Sequence, residues 1–184
     1  DMFLMYKKTL GIIGFGNIGK EVAKRASAFG VRVLYYDPVR AASNIEESVG
    51  AEYCSFTTLL AEADIVSLHI HLNDDTTGII SRREIEIMKD SAVLINVSRA
   101  QLVDNGELLS ALEDRRLWAV GLDVYVEEPT KPNDPLLTHP HVVATPHMAG
   151  PTYDTYIMAL RNAIDNFRRV RDGQEPLWIV NGVK

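Results

Sequence analysis

The 184-residue chain has one cysteine, no long apolar run and no surplus of basic charge. A lone thiol, Cys54, cannot close an internal disulfide, which fits a reducing, cytoplasmic compartment and a small packed side chain. No apolar stretch approaches the ~20 residues that span a bilayer. The amino terminus also lacks a charged-then-apolar signal pattern, so a membrane or secretory role is disfavoured. The net charge is −6. That balance argues against a nucleic-acid surface, and any anion must be held by local groups. No His, Cys or acid cluster has metal-ligand spacing, so no metal is expected. Short repeats and low-complexity linkers are absent too. What remains is an ordinary globular composition, 46% hydrophobic and 24% charged, long enough for one domain with a large core.

The chain is organised around Thr9-Leu10-Gly11-Ile12-Ile13-Gly14-Phe15-Gly16-Asn17-Ile18-Gly19. An apolar strand runs into Gly-x-Gly-x-x-Gly, and a helical pattern of Ile18, Val22, Ala26 and Phe29 follows, ended by Gly30. In that setting Gly14 permits a tight turn and Gly16 lets the backbone approach a pyrophosphate. Gly19 lets helix and strand pack closely. The free N–H groups and dipole of the helix start would hold the phosphates. A second strand over residues 31–37 ends in Asp37, 18 residues after Gly19. That spacing suits an acid accepting hydrogen bonds from an adenosine ribose, and a carboxylate there repels a 2′-phosphate. NAD is therefore expected. Arg40, close by, keeps NADP as the lesser alternative.

Downstream, residues 38–64 are polar until a short helix over 57–63. Strands are expected at 65–70, 92–98, 118–124 and 142–145, with helices capped by Ser81-x-x-Glu84 and Asp104-x-x-Glu107. The Pro-rich run 128–135 reads as a stiff surface loop. A longer helix carries Ile157, Leu160, Ile164 and Phe167 on one face and stops before Gly173. Alternating strands and helices predict an α/β fold of Rossmann type, a doubly wound parallel sheet in three α/β/α layers.

Ligands in such sheets bind beyond the carboxyl ends of the strands. Arg99, Glu128 and His147 all fall there. His147 is the natural proton donor for reducing a ketone, since imidazole titrates near neutral pH. Glu128 would orient the ring and stabilise the imidazolium. Arg99 offers a planar fork of donors for the carboxylate and carbonyl of a 2-keto acid. His69, at a strand end, reads as structural, and His139 and His141 as surface residues flanking a turn.

Four stretches together make the chain resemble the D-isomer-specific 2-hydroxyacid dehydrogenases, the family of phosphoglycerate dehydrogenase and hydroxypyruvate/glyoxylate reductase. They are Gly14 to Gly19, Asn96-Val97-Ser98-Arg99-Ala100-Gln101-Leu102-Val103-Asp104, Gly121-Leu122-Asp123-Val124-Tyr125-Val126-Glu127-Glu128-Pro129, and Thr145-Pro146-His147-Met148-Ala149-Gly150. The resemblance implies that Arg99 binds substrate and that Glu128 and His147 form an acid/base pair. It implies that Asn17, Ile18 and Asp37 hold pyrophosphate and ribose, with Asp123 near the nicotinamide amide. Ile70 and Val97 would line the cofactor cleft, and Arg99, His147 and Gly150 would also border the cofactor. A homodimer and a small 2-hydroxy or 2-keto acid substrate are implied as well. Two residues depart from the family pattern. Ala100 stands where a Gly usually follows the Arg, and would be strained at positive φ. His71 stands where Pro is usual.

Competing expectations are an NAD-sensing, corepressor-like regulator on the same fold, a phosphite-type dehydrogenase, and a dinucleotide-binding module without chemistry. Glu128 argues against formate oxidation. The expected organisation is a lead-in over 1–8, an NAD-binding domain over 9–172 and a tail over 173–184 that would return to a substrate domain. On this reading the chain resembles a single domain excised from a two-domain enzyme. The 184-residue chain alone is expected to bind NAD yet reduce 2-keto acids poorly, because nothing closes the cleft against water. Saturable turnover by this polypeptide in a steady-state assay contradicts that expectation.

Overall fold

The structure, a computed structural model, describes residues 4–179. The first three residues of the expected lead-in, and Val180 to Lys184 of the expected tail, lie outside them. The element order is β1 (Thr9–Ile13), α1 (Asn17–Ser27), β2 (Arg32–Tyr36), α2 (Ser43–Val49), β3 (Ala51–Tyr53) and α3 (Phe56–Glu62). It continues with β4 (Ile65–Leu68), α4 (Arg82–Ile87), β5 (Val93–Asn96), a 3-10 turn (Ala100–Leu102), α5 (Asn105–Glu113), β6 (Ala119–Leu122), β7 (Val142–Ala144) and α6 (Tyr153–Arg171). Contacts group the residues into two units, one ending at His147 and one beginning at Met148.

In the first unit all strand pairings are parallel, in the order β3-β2-β1-β4-β5-β6-β7. This is the doubly wound Rossmann arrangement, and the strand order reverses between β1 and β4. Alternation along each strand sends side chains to opposite faces. Leu10, Ile12, Val33 and Tyr35 join one apolar cluster with Ala23 and Ala26 of α1. Ile13, Val66, Leu68 and Leu94 join another with α3, α4 and α5. A core packed on both faces explains why β4 and β5 read as apolar runs.

Two elements were not anticipated, α2 and β3. Helix α2 buries only Val49, and β3 has three residues of which only Ala51 is buried. Neither offers a periodic apolar face. Helix α1 forms where the pattern placed it, but its buried face is Gly19, Ala23 and Ala26. Ile18 is 68% exposed and Phe29 65%. Small residues win that face because α1 lies so close to β1 that a Cβ on Gly19 would sit 2.2 Å from the Gly14 carbonyl oxygen.

In the second unit, the Thr152 hydroxyl accepts from Thr155 N (3.1 Å) and opens α6. Asn166 clamps the following segment, accepting from Leu177 N (2.8 Å) and donating to Leu177 O (3.1 Å). None of the helix's residues is buried. No helix among the described residues is long and apolar enough to cross a membrane.

At the amino end of the sheet, Asp64 joins three strands. Its carboxylate accepts from Thr9 N (2.8 Å) and from Lys89 Nζ (3.0 Å), and its carbonyl accepts from Val93 N (3.0 Å). Burial pushes this carboxyl up, but Thr9 N–H and Lys89 outweigh it, so the pKa is lowered on balance. A lowered folded-state pKa gives stability that is present above the unfolded value of ~3.9 and lost as pH falls through the folded one. Asp64→Asn is expected to lower unfolding free energy at pH 7 by about 2 kcal/mol. The gap should close toward pH 3, as read by urea unfolding at both pH values.

Candidate active site

The turn after β1 has the geometry its glycines predict. Gly14 sits at φ 94°, and a Cβ there would lie 2.5 Å from both His69 O and Ile70 Cγ2. Around Gly16 a Cβ would meet nothing within 4 Å, which leaves open space beside the backbone. Helix α1 begins there with no side-chain cap on its first turn and no acid within it. Uncapped N–H groups facing open space make a cradle for an anion. Asp37, directly after β2, accepts from Phe15 N (2.8 Å) and Val39 N (2.9 Å). The acid thus fastens the end of β2 to the middle of the glycine turn. Glycines, open helix start and acid fit a dinucleotide's pyrophosphate and ribose.

Register sets the rest of the rim. Tyr36, Ile13, Leu68, Asn96, Leu122 and Ala144 pair in one continuous row across six strands. The next residues are Asp37, Gly14, His69, Val97, Asp123 and Thr145, so these six strands deliver the segments that follow them at the same level. His69 is half-buried, and its Nε2 lies 2.9 Å from the Ser67 hydroxyl. Burial pushes its pKa down, which fits the structural role expected of it. Ile70 and Val97 are partly buried, and Ser98 Oγ donates to Ile70 O (2.5 Å), tying the two strand ends together. Asp123 is 2% exposed and accepts from the Thr145 hydroxyl (2.5 Å).

Glu128 and His147 meet. His147 Nδ1 lies 3.0 and 2.9 Å from the two Glu128 carboxylate oxygens. The Glu128–Pro129 peptide bond is cis. His147 has φ 56°, a left-handed conformation unusual outside glycine and costing about 1 kcal/mol or more. Tyr125 holds both partners: its N–H donates to Glu128 Oε1 (3.1 Å), and its hydroxyl to Thr145 O (2.7 Å). That same carbonyl accepts from His147 N (3.0 Å). Arg99 is exposed and forms no hydrogen bond or ion pair with either Glu128 or His147; its Nη1 donates to Ser98 O (2.7 Å). Its backbone is fixed by Asn96, which is 1% exposed. The Asn96 amide donates to Arg99 O (2.8 Å) and accepts from Ser98 N (3.1 Å).

Residues 2–149 match the model of the D-isomer specific 2-hydroxyacid dehydrogenase NAD-binding domain. The chain belongs to this family. Glyoxylate reductase of Korarchaeum cryptofilum is 40% identical over 177 residues, 96% of this chain and 53% of that protein. D-3-phosphoglycerate dehydrogenase of Methanocaldococcus jannaschii is 38% identical over 96% of this chain and 34% of its own length. The structure of D-lactate dehydrogenase with NAD+ from Lactobacillus jensenii superposes with a TM-score of 0.88 at 33% identity. That match covers 97% of this chain and 57% of the other. The chain spans about half the length of the glyoxylate reductases it matches.

Against the family pattern, the departure at Ala100 is harmless. The residue opens the 3-10 turn, is buried, and is absent from the positive-φ set, so it needs no glycine-like backbone. His71 is exposed in the loop after β4. Gly150 lies in the second unit, in the segment before α6. Sequence reasoning passed over Tyr125 and Asn96, which position the loops of the rim. A lone amide in the apolar strand β5 was the available signal for Asn96, since a buried amide demands partners. Tyr125 gave none, because it acts through carbonyls that no residue identity announces.

Glu128 is held below the usual carboxylate range, chiefly by the His147 hydrogen bond and then by the Tyr125 N–H. Replacing His147 by Ala removes the larger cause. The Glu128 titration midpoint, followed by carboxylate carbon NMR, is expected to rise toward the ordinary value while the fold persists.

Proposed function

We propose that this domain serves an NAD-dependent dehydrogenase that interconverts a D-2-hydroxy acid and its 2-keto acid. The observation that carries the reading is the His147–Glu128 pair, 2.9 Å apart, in the segments that leave the same sheet edge as the glycine turn. NAD, when bound, supplies the hydride donor or acceptor. With Nδ1 engaged by Glu128, His147 keeps Nε2 to give a proton to the substrate oxygen or to take one back. Glu128 fixes the ring's tautomer and offsets the charge of the imidazolium. Arg99 binds the carboxylate and carbonyl, where its fork matches a planar acid. Gly14, Gly16, Asn17, Ile18 and Gly19 receive the pyrophosphate, and Asp37 the ribose. Asp123 takes the nicotinamide amide, while Ile70 and Val97 line the cleft. The exposure of Ile18 supports its part, since an apolar side chain at a helix start has a use there once a cofactor covers it.

The carboxylate of Asp37 supports NAD over NADP, because it would repel a 2′-phosphate at the ribose. Six of the relatives are glyoxylate reductases, which supports a small 2-keto acid as substrate and makes glyoxylate the first to assay. The lone Cys54 supports a cytoplasmic setting. A homodimer follows from the family resemblance and is read by the mass in solution.

In the complete polypeptide that carries this domain, His147→Ala is expected to lower kcat by about 10²–10⁴-fold with NADH affinity unchanged. Arg99→Ala should instead act mainly through a higher KM for the keto acid. Turnover of the His147 variant within a few fold of wild type, in stopped-flow NADH oxidation, removes the proton-donor role.

A further inference from the structure

The turn that follows Asp37 contains one cation, Arg40, and it is already engaged. Its Nε lies 2.9 Å from Glu46 Oε1 and its Nη2 3.0 Å from Glu46 Oε2, a two-pronged pair. The guanidinium also stands over the Tyr53 ring, 5.4 Å from its centre. The two partners differ in freedom. Arg40 is 61% exposed along its side chain, whereas Glu46 is only 11% exposed. Glu46 is anchored from the other side by Tyr35, whose hydroxyl donates to Oε1 (2.6 Å). Tyr35 is itself fully buried and stacked on Phe15 of the glycine turn, ring centres 3.7 Å apart. Its hydroxyl accepts from Ala41 N (2.9 Å), which fixes the loop bearing Arg40. A largely buried anion therefore holds an exposed cation.

We propose that Glu46 is a specificity-determining residue that acts through Arg40, withholding this cation from the ribose end of the dinucleotide site and so favouring NAD over NADP. The inference rests on the cofactor reading given above. An Arg close to the ribose acid is the group that accommodates a 2′-phosphate in dinucleotide folds. Here a phosphate arriving at Asp37 must compete with Glu46 for that Arg, while a plain 2′-hydroxyl makes no such demand. Asp37 and Glu46 together carry two negative charges against the one positive charge of Arg40. The Arg40 hydrogen bonds, and then that of Tyr35, hold the Glu46 carboxyl down at about 2, so it stays ionised at neutral pH. Removing its charge alone would free Arg40 and cancel the net repulsion, leaving the Asp37 contacts in place.

The test is direct binding to the 184-residue chain, titrated with NADH and NADPH by cofactor fluorescence. Glu46→Gln keeps an oxygen for the Tyr35 hydroxyl and removes the charge. It is expected to tighten NADPH by about tenfold and leave NADH within about twofold. In the double variant Arg40→Ala with Glu46→Gln the NADPH gain should vanish. NADPH affinity unchanged in Glu46→Gln while NADH still binds overturns the inference and leaves the cofactor reading standing. A gain that persists in the double variant also overturns it. A wild-type chain that fails to bind NADH overturns the cofactor reading and the inference with it.

Discussion

The constraint on which the rest of this structure depends is the closeness of α1 to β1. Gly19 faces the Gly14 carbonyl at a separation that admits no side chain. That approach aims the start of the helix at the sheet's switch point, where open helix N–H groups and the reversal of strand order coincide. Around it the sheet is parallel throughout, so each crossover brings the chain back to finish a strand at the same edge. Chemistry gathers there because topology leaves it one rim on which to gather.

Three polar side chains knit the loops of that rim together. Asn96 spends both ends of its amide on the Arg99 loop. Tyr125 joins the Glu128 loop to the His147 loop through its own N–H and hydroxyl. Asp37 closes the glycine turn with one oxygen and its own turn with the other. None of the described residues leaves a buried side-chain polar atom without a partner. Satisfied networks of this kind rigidify the loops that carry them, and the Glu128–His147 hydrogen bond spans two of those loops.

How much of this could be read beforehand depended on what each feature is made of. Glycine spacing and apolar strands announce themselves, because turn geometry and two-sided burial restrict which residues serve. The Ser81–Glu84 capping box did so too, and the structure holds both of its hydrogen bonds. The positions of Arg99, Glu128 and His147 in segments after strands were legible, and the structure places them there. Of their mutual geometry the Glu128–His147 contact was anticipated, and the structure forms it between residues 19 apart on two separate loops. The α1 face was misjudged because hydrophobic pattern favours large side chains, while close packing demanded Gly19, Ala23 and Ala26. Helix α2 escaped notice for a related reason. Its value lies in a polar residue, Glu46, that anchors a neighbouring turn rather than in any buried stripe.

The continuous row from Tyr36 to Ala144 has a consequence for how such a domain tolerates change in length. One residue inserted within β5 would advance its end by about 3.3 Å and send every later side chain to the opposite face. Arg99 would leave the level shared with its neighbours, and Asn96 would lose the loop it clamps. Insertions between Pro129 and Pro135, or between Leu72 and Thr77, leave the row untouched. Length is therefore fixed within the strands and free in the loops. Descendants of this sequence can lengthen around the site far more easily than through it.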